Sequence, residues 1–159
     1  MQAENVEKGQ EAGYTFKFFK LGKWFTYRVD KMLPSMSAGQ SDNEVWIAYC
    51  EKAYAKRYKS YENITGGWGA WGLTDISGGV SIVNKLKWGA PGINQLFMFI
   101  YNNQKDFVCT SGIVGGTGGG AGSEVLKDNG LYEGHEYSFL KADMVHDANG
   151  KINRLVQIR

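Results

Sequence analysis

Cysteine and proline are both scarce in this sequence of 159 residues, with two of each. Two cysteines, Cys50 and Cys109, are too few for a disulfide framework or a four-thiolate metal site. No apolar run approaches the roughly 18–20 residues that span a bilayer, so we expect no transmembrane segment. Residues 1–13 lack the apolar core of a secretory signal peptide. Together these absences favour a soluble, cytoplasmic protein.

Net charge is also small, because 18 Lys and Arg residues stand against 16 Asp and Glu residues. A balance of +2 gives no electrostatic reason to expect nucleic acid or an anionic membrane as a partner. Hydrophobic residues are abundant at 43%, and there are 22 glycines. This composition is typical of a folded domain and excludes a disordered or fibrous protein.

The beginning of the chain predicts a hairpin after a disordered segment. Residues 1–13 are polar, and we expect them to be disordered. From Tyr14 to Val29, aromatic and β-branched side chains alternate with polar ones on both sides of Gly22. This alternation predicts a β-hairpin with one aromatic face.

A helix is predicted next, over about residues 44–61. Asp42 or Asn43 can cap it, and Glu44 is expected in its first turn, where a carboxylate favours the helix dipole. Apolar residues at spacings of three and four predict one buried stripe. That stripe consists of Trp46, Tyr49, Cys50, Ala53 and Tyr54.

Residues 65–79 contain six of the glycines and two tryptophans, Trp68 and Trp71. Such backbone freedom predicts a hinge, which makes this segment the best candidate for a boundary between subdomains. A platform for carbohydrate or peptide, built on the two tryptophans, is the weaker alternative.

The second half predicts one helix and several strands. Helical spacing covers residues 93–104, and strand-like patterns cover 107–114, 135–145 and 152–158. An Asn-Gly pair at 149–150 predicts a hairpin between the last two strands. The residues therefore indicate an α+β protein: a hairpin and helix followed by a mostly antiparallel β region.

The glycine-rich run over residues 111–122 predicts a mobile surface loop. Gly116, Gly118 and Ala121 formally match a dinucleotide-binding fingerprint. That motif needs a helix directly after it within a parallel βαβ unit, and here a hairpin pattern follows. Nucleotide binding is therefore only a weak alternative.

Few residues offer catalytic or metal chemistry by spacing alone. The only two histidines, His135 and His146, do not have the spacing of a zinc site. Cys50 falls in the apolar stripe of the predicted helix and Cys109 inside a predicted strand, where a thiol behaves as a small hydrophobe. We expect neither cysteine to be a nucleophile.

Five segments of the chain resemble, in the same order, landmarks of the calpain-type cysteine peptidase core. They are YTFKFFKLGKWFTYRVDKMLP, NEVWIAYCEKAYAKRYKSYENITGG, LTDISGGV, GLYEGHEYSF and INRLVQIR. The resemblance implies a papain-like fold. Residues 14–79 would be the C-terminal part of the first subdomain and 80–159 the second, with Gly78-Gly79 at the junction.

The resemblance also implies site residues. His135 matches the catalytic histidine, the general base that takes the proton of the thiol. Glu44 matches a carboxylate that helps to bind calcium in the first subdomain, so Ca²⁺ is the implied cofactor. A simple partner of the helix dipole is the alternative for Glu44.

Departures from the family pattern shape the expected function. The family's nucleophilic cysteine and orienting asparagine have no counterpart in these residues, and Glu136 stands where a small residue is usual. We therefore expect an incomplete core of an intracellular, calcium-dependent endopeptidase that acts on protein substrates and is inactive by itself. In a complete enzyme, the loop over 111–122 would gate access to the cleft. A non-catalytic protein that binds or regulates a peptidase is the alternative.

Overall fold

The computed structural model describes residues 12–35, 44–87, 89, 91–114 and 124–159. The chain forms two compact units, and each of them consists of two separate stretches of the sequence. The first unit comprises Met1–Gly67 and Trp71–Val80, and the second comprises Trp68–Ala70 and Ser81–Arg159.

The first unit begins with the predicted hairpin. Strands β1 (Gly13–Lys20) and β2 (Lys23–Asp30) are antiparallel and joined by Leu21 and Gly22, both with positive φ. The register places two aromatic pairs, Phe16↔Tyr27 and Phe18↔Phe25, on one face, together with the pair Tyr14↔Val29. The prediction of a hairpin with an aromatic face is confirmed.

Helix α1 (Trp46–Tyr58) follows, and it begins later than predicted. Its N-cap is Val45, which makes no side-chain capping hydrogen bond. The predicted caps Asp42 and Asn43 lie outside the described residues. The placement of Glu44 in the first turn is wrong, because this exposed residue precedes the helix.

The aromatic face of the hairpin packs on α1 and forms a small core. Trp46, which we predicted to be buried, is 51% exposed. It is the first residue of the helix, and the packing begins beyond it, where the Tyr14 and Tyr49 rings lie 4.4 Å apart. The buried residues of this core are Phe18, Val29, Tyr49 and Ala53, and Cys50 and Tyr54 are half-buried against it.

The glycine- and tryptophan-rich segment forms a helix that the sequence did not predict. A 3₁₀ turn over Glu62–Ile64 leads into α2 (Gly69–Ser77). Asp75 is the buried residue of α2, and side chains of α1 hold its carboxylate. Gly78 ends the helix with a φ of +73°. This tertiary anchor overrides the low helix propensity of glycine.

In its described residues, the second unit contains α3 (Ile93–Asn103) and five strands. The strands are β3 (Thr110–Gly112), β4 (Val125–Leu126), β5 (Tyr132–Glu133), β6 (Glu136–His146) and β7 (Ile152–Ile158). One antiparallel sheet has the order β3-β6-β7, and β4 pairs with β5. The predicted helix and the final hairpin are confirmed, and Gly150 takes the positive φ that the turn needs.

Part of the predicted glycine loop belongs to the sheet. Ser111 and Gly112 pair with β6, so the loop does not begin at residue 111. Residues 115–122 lie outside the described residues. β3 is also shorter than the strand predicted over 107–114.

Helices and antiparallel strands occur in both halves of the described chain, which confirms the α+β class. Within the described ranges, none of the helices has the length and apolar character needed to cross a bilayer.

Candidate functional site

The short β4–β5 hairpin places His135 beside a carboxylate. Because Val125 pairs with Glu133, the register brings residue 124 opposite residue 134. Gly134 has a φ of +78° and redirects the chain from β5 into β6, and its N–H donates to the carbonyl of Ile113 at 2.8 Å. His135 therefore lies at the corner between two sheets, across from Glu124.

The imidazole of His135 makes a close hydrogen bond to that carboxylate. Its Nδ1 lies 2.6 Å from Oε1 of Glu124. The two side chains are 41% and 45% exposed, so the pair is open to solvent and to a reacting group. A short hydrogen bond between a ring N–H and a carboxylate is charge-assisted when the carboxylate or the imidazole is ionised.

Two tyrosines flank the imidazole and restrict its orientation. The ring of Tyr137 meets it edge to face, with centroids 4.8 Å apart, and the ring of Tyr132 lies 6.4 Å away. The Tyr137 hydroxyl accepts a hydrogen bond from the Tyr132 backbone N–H at 2.7 Å. The imidazole is thus held by a carboxylate at one nitrogen and by aromatic rings at its sides.

Glu136, the sequence neighbour of His135, is engaged elsewhere. Its Oε1 accepts a hydrogen bond from Thr110 Oγ1 at 2.5 Å. A Cβ added at Gly69 would lie 2.5 Å from the same oxygen, and one at Gly112 would lie 2.7 Å from the His135 carbonyl oxygen. Because glycine has no Cβ, the backbone at these two positions can lie close to His135 and Glu136.

This arrangement can accept a proton. With its Nδ1–H donated to Glu124, a neutral imidazole presents the lone pair of Nε2. That is the state a general base needs, and the exposure of the ring leaves room for the group that gives up its proton. The role of His135 as a general base, which the family resemblance implies, stays a prediction.

The two cysteines have the opposite character from an activated nucleophile. Burial raises the pKa of the Cys50 thiol above its ordinary value. Burial and, second, the negative charge of Glu136 raise the pKa of the Cys109 thiol. Reactive cysteines have lowered pKa values, because the thiolate is the nucleophile. The raised pKa values of both thiols are therefore typical of structural cysteines.

We predict slow alkylation of both thiols in the folded chain. At about pH 7.5, iodoacetamide should modify Cys50 and Cys109 more slowly than it modifies the same chain unfolded in guanidinium, because a raised pKa leaves less thiolate. The folded rate should keep rising above pH 9.0, the ordinary thiol value. Mass spectrometry after timed quenching measures both rates. A thiol that reacts faster in the folded chain would contradict the assignment.

Glu44 does not stand within a metal site in the described part of the chain. It is exposed, and the described ranges contain no group of three or more His, Cys, Asp or Glu side chains that could hold a metal ion. Calcium takes about six to eight oxygen ligands. The described donors therefore do not form a calcium shell.

A groove of about 700 Å³ in the first unit lies between β2 and α1. Two lysines of α1 that line the groove contact strand β2. Lys56 Nζ lies 2.7 Å from the Arg28 carbonyl oxygen, and Lys52 Nζ lies 2.7 Å from Asp30 Oδ1. These contacts tie the helix to the hairpin. We therefore assign the lysines a structural role and the groove no ligand.

Sequence reasoning missed Glu124. The residue follows the glycine-rich run and precedes a strand of only two residues, so no periodic pattern marks it. The available signal was the turn sequence Asp128-Asn129-Gly130, which favours a hairpin that would bring residues 124 and 134 together.

Comparisons with known proteins agree on one family. A model described as calpain family cysteine protease matches residues 1–159. The chain is 32% identical to the calpain-type cysteine protease DEK1 of Arabidopsis thaliana over 161 residues, which covers 96% of this chain and 7% of that protein. It is 30% identical to the calpain-2 catalytic subunit of Homo sapiens over 152 residues, covering 92% and 21% respectively. This chain thus spans a small part of the length of these relatives.

Proposed function

Because the chain belongs to the calpain family of cysteine proteases, we propose that it supplies the histidine base of a calpain-type endopeptidase site, with His135 in that role. The observation that supports this proposal best is the contact of 2.6 Å between His135 Nδ1 and the Glu124 carboxylate, which favours an imidazolium on a ring that stays exposed. The substrates would be proteins, and the compartment would be the cytoplasm.

In this proposal His135 takes a proton from a cysteine thiol. The S–H bond breaks, an N–H bond forms on the imidazole, and a thiolate–imidazolium pair results. The carboxylate of Glu124, which lies 2.6 Å from Nδ1, would stabilise the positive charge that develops on the ring. The raised pKa values argue that the thiol is neither Cys50 nor Cys109. The thiol would then come from sequence other than these 159 residues.

The papain-like fold and its division into subdomains are part of the same proposal. Residues 14–79, with the hairpin and α1, would be the end of the first subdomain. Residues 80–159, with the antiparallel strands around His135, would be most of the second. The described elements have the α+β composition that such a fold requires.

The experiment that tests the function is peptide hydrolysis by the protein purified from its source cells, together with its intact mass. A calpain-type enzyme predicts a polypeptide with an additional reactive cysteine, and hydrolysis of peptides by that polypeptide. A native polypeptide that contains such a cysteine but hydrolyses nothing would contradict the proposal. It would favour the alternative, a non-catalytic calpain-like protein that binds or regulates a peptidase.

We also propose that Glu44 can supply one calcium ligand but that the 159-residue chain holds the ion weakly. Titration calorimetry should give a dissociation constant of about a millimolar or weaker, because a single carboxylate leaves most of the coordination shell to water. Glu44→Gln should remove what binding there is. Micromolar affinity in this chain would contradict the prediction.

A further inference from the structure

We infer that Glu136 determines which peptides the proposed site accepts, because its carboxylate attracts a basic side chain, arginine above all, close to the bond that is cleaved. This inference rests on the proposed function of His135, which directly precedes Glu136 in the sequence. Glu136 departs from the family pattern, so the preference does not follow from membership of the family.

The position of Glu136 suits it to binding rather than to the chemistry itself. It is the first residue of β6, and its Cα atom is about 3.8 Å from that of His135. Successive side chains of an extended chain point to opposite faces, and the ring that contacts the imidazole is that of Tyr137, the next residue but one. Because an extended peptide rises about 3.3 Å per residue, a side chain one to three residues from a bond at the imidazole comes within reach of the Glu136 carboxylate.

Two glycines and a threonine define where this carboxylate lies. Its Oε1 accepts a hydrogen bond from Thr110 Oγ1 at 2.5 Å. A Cβ at Gly69 would lie 2.5 Å from the same oxygen, and a Cβ at Gly112 would lie 3.3 Å from Oε2. All of these residues belong to the second unit. The glycines therefore leave the space that the glutamate side chain fills, and the threonine fixes it there before any ligand binds, which lowers the entropic cost of binding.

The negative charge of Glu136 forms no ion pair within the described residues of the second unit. The ion pairs there are Lys127–Glu133, His135–Glu124 and Lys141–Asp143. Because Glu136 is exposed, a cation from a ligand can pair with it without displacing an internal partner. Arginine fits best, since its planar guanidinium donates two parallel hydrogen bonds to a carboxylate.

The test uses pairs of fluorogenic peptides that differ in one residue, which is either arginine or its neutral isostere citrulline. That residue is placed in turn at each of the three positions on either side of the cleaved bond. With the protein purified from its source cells, kcat/KM should favour arginine by about 5- to 10-fold at one or more positions, as expected for a charge-assisted hydrogen bond that is partly exposed. Glu136→Gln should abolish the preference, because it removes the charge and keeps the shape of the side chain.

Gly69→Ala tests the same carboxylate without changing it. The added methyl group would lie 2.5 Å from Oε1, so the carboxylate must move, and the preference for arginine should fall. Gly72→Ala is the matched control in the same helix, because a Cβ there meets no atom nearer than 4.0 Å. Asp143→Asn removes another exposed carboxylate of β6. Neither control should alter the preference, and a preference for arginine that survives Glu136→Gln would overturn the inference.

Peptide binding by the 159-residue chain separates this inference from the proposed function. We expect no hydrolysis by this chain, so the same peptides can be titrated as intact ligands and followed by amide NMR. The arginine peptide should shift the amides of Glu136 and Thr110 more than the citrulline peptide does, and Glu136→Gln should remove the difference. If the native protein hydrolyses both members of every pair equally, the inference fails and the function stands. If it hydrolyses neither while the arginine peptide still shifts these amides selectively, the function fails and the binding site stands.

Discussion

Replacing His135 with alanine should lower peptide hydrolysis by the protein purified from its source cells by about 10⁶-fold, the loss seen when one member of a comparable triad is deleted. The reason is that, in the proposed function, the imidazole removes the thiol proton, and without it the nucleophile stays protonated. The effect should appear in kcat, because the remaining side chains can still bind a peptide. Initial rates with a fluorogenic peptide measure it.

His146→Ala is the matched control, because the chain contains only these two histidines. His146 is the exposed last residue of β6 and adjoins the turn, so its loss should leave both the fold and the rate unchanged. Equal losses in the two variants would show that histidine replacement acts through the fold. Full activity of His135→Ala would contradict its assignment as the base.

The second large effect is expected at Asp75, a buried carboxylate in the first unit. It accepts hydrogen bonds from Tyr58 at 2.7 Å and Tyr54 at 3.0 Å, and it pairs with the guanidinium of Arg57. Burial is the main cause that raises the pKa of the Tyr54 hydroxyl, and its hydrogen bonds with Tyr58 and Asp75 raise that pKa further. The hydroxyl therefore keeps its proton and donates. Asp75→Ala should lower the free energy of unfolding by about 3–5 kcal/mol, because the buried Arg57 charge loses its partner.

Asp30→Ala is the control for this prediction. Asp30 pairs with Lys52 at 2.7 Å, but the Asp30 side chain is 47% exposed, and ion pairs that reach solvent contribute little to stability. Urea unfolding followed by near-ultraviolet circular dichroism should separate the two variants clearly. A change at Asp75 as small as that at Asp30 would contradict the role of the buried carboxylate.

Local patterns were sufficient to predict the regular elements of this fold. Alternation from Tyr14 to Val29 predicts the first hairpin, since each strand buries one face, and the Asn-Gly pair at 149–150 predicts the last one. The helix at Ile93–Asn103 shows the helical period directly. In each case the signal lies within one continuous segment.

The sequence did not predict features that depend on contacts between residues far apart in the chain. Helix α2 forms in a glycine-rich segment because Asp75 binds tyrosines 17 and 21 residues earlier in the chain, which no local pattern records. The exposure of Trp46 depends on where the hairpin meets α1. Glu124 reaches His135 through two strands of two residues each, too short for a periodic signal.

The sequence alone identified His135 as the candidate base through its resemblance to a family. It could not identify what orients the ring, because that depends on the register of β4 and β5. It also assigned Glu44 to the first turn of a helix that begins after it. Motifs therefore gave a candidate residue, and tertiary geometry was needed to describe its surroundings.

The most direct test of the central claim is covalent trapping of the 159-residue chain with an epoxide inhibitor of cysteine peptidases, read by intact mass. We expect no adduct and no hydrolysis of peptides, since the only two thiols in the chain are half-buried and have raised pKa values. An adduct at Cys50 or Cys109 that disappears in His135→Ala would show that His135 activates one of them, and would contradict the account.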